Sequence, residues 1–128
     1  MEHRLTIKGS LEDLNKFIAA CNVSKFRGAK MKRDEETAIG WHIKQQLRGV
    51  KISNPVRVHI AWFEKDEKRD PDNVAFAKKF ILDSLVSCGV LPIDTRKWIN
   101  GFVDDIETDR ENPRIEVVLV ERSGDDGA

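Results

Sequence analysis

The stretch from Pro55 to Trp62 restricts the possible folds of this chain more than any other. Apolar side chains occupy every second position, at Val56, Val58, Ile60 and Trp62. The positions between them carry Arg57, His59 and Ala61. A period of two is the pattern of a β-strand with one buried face. The chain must therefore supply other strands beside this one and a layer that covers its apolar face.

Three further segments have strand character. Residues 4–8 alternate apolar and polar side chains, and residues 97–104 and 114–122 are rich in β-branched and aromatic residues. Turn-forming residues at 108–113 separate the last two segments. This spacing predicts that the last two strands pair as an antiparallel hairpin with a loop.

Three segments have the periodicity of amphipathic helices. Residues 11–21 follow a candidate cap at Ser10, residues 30–48 follow a break at Gly28, and residues 71–88 end before Gly89. The predicted order is β-α-α-β-α-β-β, which favours an α+β fold in which helices pack on a small mixed four-stranded sheet. A length of 128 residues predicts a single domain, assigned to 1–122, with a flexible tail at 123–128. Trp41, Trp62 and Trp98 fall within or beside these elements and are interpreted as core residues.

Charge is distributed unevenly along a chain whose net charge is zero. Residues 1–69 carry a net charge of +6 and residues 70–128 a net charge of −6. The most basic stretch is 25–33, whose cations are Lys25, Arg27, Lys30, Lys32 and Arg33. Such a stretch is typical either of a solvated surface or of a phosphate-binding surface, and the sequence leaves both open. No apolar run is long enough to cross a membrane and no signal-peptide core is present, so a cytoplasmic protein is expected.

The segment Asp70-Pro71-Asp72-Asn73 admits two interpretations. Asp70 suits an N-cap, Pro71 suits the first helical position, and Asp72 suits the positive end of a helix dipole. Alternatively, two carboxylates at a loop–helix junction can point at one divalent cation, because Mg²⁺ prefers oxygen ligands. The sequence alone does not choose between a helix start and a metal site.

A metal site needs ligands from separate segments. Asp94 is the candidate third carboxylate, with Asp104 and Asp105 as competitors at the expected end of a strand. In a continuous helix, Lys79 lies about 700° past Asp72 and so falls on nearly the same face. Asp83 follows four residues later and can form an ion pair with Lys79, which is also the simpler interpretation of that lysine.

The ordered set R-D-P-D-N (69–73), K-x-x-x-D-x-L (79–85) and G-x-x-x-x-D (89–94) resembles the RusA-like Holliday junction resolvases. These are small phage and prophage endonucleases. The resemblance covers about residues 55–122. It implies a homodimer that cuts four-way DNA junctions with Mg²⁺ or Mn²⁺ and without an organic cofactor. By the motif match, the metal ligands fall on Asp70, Asp72 and Asp94, and a catalytic lysine falls on Lys79.

Two positions depart from the family pattern. The helix before Asp83 is about three residues longer than expected, and Ile93 stands where the family often has an aspartate. The N-terminal region differs from the family, so the resemblance implies no DNA contacts there. The charge pattern instead predicts that the basic stretch 25–33, with Lys68 and Arg69, neutralises backbone phosphates. Two other functions remain open: a dimeric DNA-binding module that cuts poorly, and a prophage adaptor that binds protein through its acidic half.

Overall fold

The computed structural model describes residues 1–122. Its elements are β1 (Glu2–Lys8), α1 (Leu14–Val23), α2 (Lys25–Gln46), β2 (Val56–Glu64), α3 (Pro71–Ala75), α4 (Lys78–Ser87), β3 (Ile99–Thr108) and β4 (Arg114–Glu121). The α+β class and the predicted order are confirmed, with the third predicted helix present as two helices. The predicted tail at 123–128 lies outside the described residues.

The four strands form one mixed sheet in the order β1-β4-β2-β3. Strand β4 is antiparallel to both β1 and β2, whereas β3 is parallel to β2. The predicted hairpin between the last two strands is therefore wrong, because β2 lies between them. Helices α3 and α4 form a crossover from β2 to β3, and a helical crossover joins parallel neighbours. Strand β4 then returns along the other side of β2.

The apolar face of β2 lies at the centre of the core. Val56, Val58, Ile60 and Trp62 are each at most 1% exposed. On α2, Ile39, Ile43 and Leu47 are buried against the sheet, as their spacing of four predicts. Trp41 is 65% exposed, so its assignment to the core is wrong. It lies about 200° around the helix from Ile39, on the side opposite the buried stripe.

The first two helices begin at caps that the periodicity did not locate. Asp13, rather than Ser10, caps α1 by accepting a hydrogen bond of 2.9 Å from the Lys16 amide. Ser24 caps α2 in the same way through the Arg27 amide, so this helix begins at Lys25 and contains Gly28. Gly28 does not break the chain. A Cβ there would lie 2.5 Å from the Cys21 sulfur, so glycine permits the close approach of α1 and α2.

The third predicted helix is interrupted by a turn at residues 76–77, around which the hydrogen bonding tightens. The amides of Ala77, Lys79 and Phe80 each bond to the carbonyl three residues earlier. This turn separates α3 from α4 and lets Phe76 and Phe80 meet Phe17 of α1, with ring centroids 5.3–5.9 Å apart.

Glu121, at the end of β4, joins three segments of the fold. Its carboxylate lies 3.0 Å from His3 Nε2 and accepts hydrogen bonds from the amides of Ser53 and Asn54 at 2.7 and 2.9 Å. Burial raises the pKa of Glu121, but the hydrogen bonds from His3, Ser53 and Asn54 outweigh burial and hold the pKa below its usual value. The carboxylate form is therefore the one that stabilises the fold.

We expect Glu121→Gln to lower the free energy of unfolding by about 1–3 kcal/mol near neutral pH, because it weakens charge-assisted hydrogen bonds to partly buried groups. A group whose folded pKa is depressed stabilises above its unfolded pKa and loses that contribution as the pH falls through the folded pKa. The gap between wild type and variant should therefore close as the pH falls below the ordinary glutamate value of 4.5. Urea unfolding of both proteins at several pH values measures this difference in the free energy of unfolding. Glu116→Gln, on the same strand, is the control, and a gap independent of pH would contradict the assignment.

Candidate functional site

The two aspartates of the Asp-x-Asp motif lie where the loop after β2 enters α3. Asp70 occupies the N-cap position and Pro71 the first helical position, but the Asp70 side chain makes no capping hydrogen bond. Asp72 lies in the first turn. Both aspartates are exposed, and within residues 1–122 neither carboxylate forms a hydrogen bond or an ion pair. Their oxygens remain accessible to a ligand.

Arg69 connects the loop between β2 and α3 to the interior of the protein by hydrogen bonds. Its Nε and Nη2 donate to the two carboxylate oxygens of Glu64, each at 2.8 Å, and its Nη1 donates to the Leu11 carbonyl at 3.0 Å. The same nitrogen lies 3.4 Å from an oxygen of Asp13. Hydrogen bonding to Glu64 raises the pKa of Arg69 against the opposing effect of burial. Arg69 is a predicted DNA contact, but its guanidinium donors already bind groups within the protein. Lys68, the other predicted contact in this loop, is exposed.

Lys79 connects α4 to the loop that carries Asp94. Its ammonium lies 3.0 Å from Asp83 Oδ1 and 3.1 Å from Asp94 Oδ2. The predicted pair with Asp83 is confirmed. The geometric argument that related Lys79 to Asp72 is wrong, because it assumed one continuous helix and the turn at residues 76–77 interrupts it. The structure nevertheless brings together two of the four predicted catalytic residues, Lys79 and Asp94.

The ion pairs around Lys79 on α4 extend to side chains of α2 through Asp83. Lys32, predicted to bind DNA, lies 3.0 Å from Asp83 Oδ2 and 3.6 Å from Glu36 Oε2. We call this alternating set the charge row; its members are Glu36, Lys32, Asp83, Lys79 and Asp94. Sequence reasoning missed Glu36 and the inward role of Lys32. The spacing of Lys32 and Glu36 signalled a helical pair, but only the packing of α2 on α4 shows that the two pairs join.

The titration of the charge row follows from its contacts. Lys32 and Lys79 donate hydrogen bonds to Asp83, and these bonds raise the pKa of both lysines, so both are cations near neutral pH. Burial raises the pKa of Asp83, but the hydrogen bonds from Lys32 and Lys79 outweigh it and the pKa is lowered. Burial raises the pKa of Glu36, against the attraction of Lys32. Among residues 1–122, Glu36 Oε2 is the one buried side-chain oxygen or nitrogen without a hydrogen bond.

Asp104 and Asp105 do not mark the end of a strand, because β3 continues to Thr108. Asp104 accepts hydrogen bonds from Trp62 Nε1 at 2.9 Å and from the Lys78 ammonium. Adjacent lysines of α4 therefore form ion pairs with different acids: Lys78 pairs with Asp104 of β3, and Lys79 pairs with Asp94.

The remaining cations of the basic stretch lie on the outside of α2. Lys25, Arg27, Lys30 and Arg33 are all exposed. Lys30 pairs with Asp34 at 2.7 Å. Such an exposed pair contributes little to stability and is screened by salt, so Lys30 can exchange this partner for a phosphate.

The chemistry of the free carboxylates fits Mg²⁺, which binds one or two protein carboxylates and completes its shell with water and substrate phosphate. Asp70 and Asp72 supply such oxygens. Within residues 1–122, no three His, Cys, Asp or Glu side chains converge as a ready set of metal ligands. Asp94 instead contacts Lys79. Of the three predicted ligands, Asp70 and Asp72 are thus the two whose carboxylates have no partner within residues 1–122.

No model of a known protein family matches this chain, and no curated protein matches it. No helix within residues 1–122 has the length and apolar character needed to span a membrane.

We expect Arg69→Gln to lower the free energy of unfolding by about 2 kcal/mol or more, because it leaves Glu64 buried without its charged partner. Chemical denaturation measures this change. Lys68→Gln is the matched control and should stay within about 0.5 kcal/mol of wild type, since the lysine is exposed. The double variant Arg69→Met with Glu64→Met removes both charges and should recover most of the loss. Wild-type stability in Arg69→Gln would show that the Arg69–Glu64 pair does not stabilise the fold.

Proposed function

We propose that this protein is a Mg²⁺-dependent endonuclease that acts as a homodimer on branched DNA such as a four-way junction. The observation that supports this most is the 3.1 Å contact between Lys79 and Asp94. The two residues are separated in sequence and belong to different parts of the motif that resembles the RusA-like resolvases. Their contact is what a shared site requires, and no periodicity argument predicted it.

Each residue has a distinct role in phosphodiester hydrolysis. Asp70 and Asp72 would hold Mg²⁺, and Asp94 would join them only by giving up its contact with Lys79. When bound, the ion activates water and neutralises phosphate charge. The raised pKa of Lys79 keeps it a cation, so it cannot accept a proton from water. It instead donates hydrogen bonds to a phosphate oxygen and stabilises the charge that develops there.

The exposed cations and the two-fold symmetry of the proposed dimer would both contribute to DNA binding. Lys25, Arg27, Lys30 and Arg33, with Lys68, would neutralise backbone phosphates and release counterions. A two-fold dimer presents two equivalent sites to a junction that is itself roughly two-fold, so opposed strands can be cut in the same way. Prophage recombination and repair are the setting in which such substrates arise.

A DNA-binding module of the same fold is the second candidate. The observation that favours it is the neutralisation of Asp83 and Asp94 by Lys32 and Lys79, which leaves these carboxylates engaged with protein cations. A labelled four-way junction incubated with and without Mg²⁺ separates the two candidates. Metal-dependent nicking supports the endonuclease, and tight binding without nicking supports the module.

We expect Asp72→Asn to fold with a near-native melting temperature, because the Asp72 carboxylate is exposed and a charge in a first helical turn contributes only about 0.3–1 kcal/mol. The same change removes an anionic metal ligand. Cleavage should therefore slow about a hundredfold or more, which corresponds to about 2.7 kcal/mol of transition-state stabilisation. Junction binding in the absence of metal should be equal to wild type or tighter, since one negative charge near the phosphates is lost.

The control for Asp72→Asn is Asp66→Asn in the preceding loop, which lies outside the Asp-x-Asp motif. Cleavage rates are measured under single-turnover conditions at several Mg²⁺ concentrations. Wild-type cleavage in Asp72→Asn would refute the metal site. An activity loss that only follows a loss of folded protein would assign Asp72 to the helix start.

We expect Lys79→Ala to slow junction cleavage at least about tenfold more than Lys78→Ala, because Lys79 contacts Asp94 whereas Lys78 contacts Asp104 of β3. The two variants are matched, since each removes one lysine from the first turn of α4 and one interelement ion pair. Folding is checked by thermal denaturation. Equal rates in the two variants would remove Lys79 from the site.

A further inference from the structure

Helix α2 presents an aromatic side chain to solvent within a group of cations. Phe26 is 70% exposed. Lys30 and Arg33 follow it at four and seven residues, within about 40° of Phe26 on the helix surface. Lys25 and Arg27 flank it directly. We call this set the Phe26 surface. It lies on the outside of the molecule, away from the inward-facing Lys32.

The cations around Phe26 are available to an anionic partner. Within residues 1–122, Lys25, Arg27 and Arg33 take part in no ion pair, and Lys30 has only its exposed partner Asp34. Exposure of a phenylalanine ring to water is unfavourable, and Val23, three residues earlier at the end of α1, is also 65% exposed. An exposed apolar ring surrounded by unpaired cations matches a ligand that has both flat apolar faces and negative charges.

We propose that Phe26 stacks on an exposed nucleobase of the DNA substrate while Lys25, Arg27 and Arg33 neutralise the adjacent phosphates. This inference rests on DNA being the partner, as in the proposed function, and it names the feature of the DNA that is bound. Every base has a π-face, so an aromatic side chain recognises unstacked bases without sequence preference. Base faces are accessible at branch points and in single-stranded segments, and they are covered in an uninterrupted duplex.

Charge argues against the other occupants of this surface. Two copies that met through this surface in a two-fold dimer would place identical groups of cations against each other, and like charges repel. A neutral apolar protein surface would cover the ring but leave the cations unpaired. Nucleic acid satisfies the ring and the cations together.

The experiment compares Phe26→Ala with Trp41→Ala. Trp41 is the matched control, because it is a 65% exposed aromatic residue fifteen positions further along the same helix, with the Lys44 ammonium 6.0 Å from its ring centroid. Affinities are measured for a four-way junction, a single strand and an uninterrupted duplex, without metal and at several salt concentrations. A fluorescent 2-aminopurine placed at the branch point reports stacking directly.

We expect Phe26→Ala to weaken binding to the junction and the single strand about tenfold or more and to abolish the change in 2-aminopurine fluorescence. Duplex affinity should change little. The slope of log K against log salt should stay at the wild-type value, since the cations remain. Lys25→Gln with Arg27→Gln should reduce that slope for all three DNAs. Phe26→Trp should restore the fluorescence change.

Three results would overturn the inference: equal junction affinity in Phe26→Ala and Trp41→Ala, a loss in Phe26→Ala that is as large for duplex, or no DNA binding by wild type. Loss of self-association in Phe26→Ala by sedimentation would assign the surface to a second copy. Binding to anionic phosphatidylserine vesicles that needs Phe26, with DNA binding unchanged, would assign it to a membrane. The inference does not depend on cleavage: stacking by Phe26 without metal-dependent nicking would support it while refuting the endonuclease.

Discussion

Strand β2 places a carboxylate in the row of side chains that otherwise forms the core. Glu64 continues the inward-facing series of Val56, Val58, Ile60 and Trp62 and is only 8% exposed. An unpaired carboxylate there would be strongly unfavourable. Arg69 satisfies both of its oxygens and also bonds to the chain just before α1. This one pair therefore determines where the loop leaves the sheet, where α3 begins, and where Asp70 and Asp72 meet solvent.

In the charge row, as in the Arg69–Glu64 pair, carboxylates are neutralised by cations from other segments, but these side chains lie nearer the surface. Lysines on two helices alternate with carboxylates on α2, α4 and the loop after α4, so each lysine offsets two acids. These side chains are partly exposed, so solvent and salt weaken their contacts more than those of the Arg69–Glu64 pair. A site that must bind and release a phosphate needs cations of this kind. In the proposed endonuclease, Lys79 would exchange Asp94 for a substrate oxygen, because its ammonium contacts partners that are accessible to water.

Local patterns predicted the parts of the fold that depend on local rules. The alternation of 56–62 and the spacing of Ile39, Ile43 and Leu47 gave the central strand and the covering helix correctly. Relations between distant segments were not encoded in any period. The parallel pairing of β2 with β3 depends on which side of β2 the crossover returns, and the turn at residues 76–77 depends on packing of Phe76 and Phe80 against Phe17. For the candidate site, the Lys79–Asp83 pair followed from helix spacing, whereas the contacts to Asp94 and Lys32 required tertiary packing.

The stretch 25–33 illustrates why a count of cations does not identify a binding surface. As a sequence it contains five cations and no acidic residue, and both of its interpretations treated the five cations alike. The helix separates them: Lys32 turns toward α4 and bonds to Asp83, while Lys25, Arg27 and Arg33 face solvent beside Phe26. Adjacent residues on a helix differ by about 100° in direction, so neighbours such as Lys32 and Arg33 can belong to different surfaces. Positive charge that is already paired within the protein contributes little to attracting phosphate, and charge that is exposed and unpaired contributes most. Under the proposed function, the contribution of this helix to DNA binding should therefore depend on which residues of the stretch face outward rather than on how many are basic.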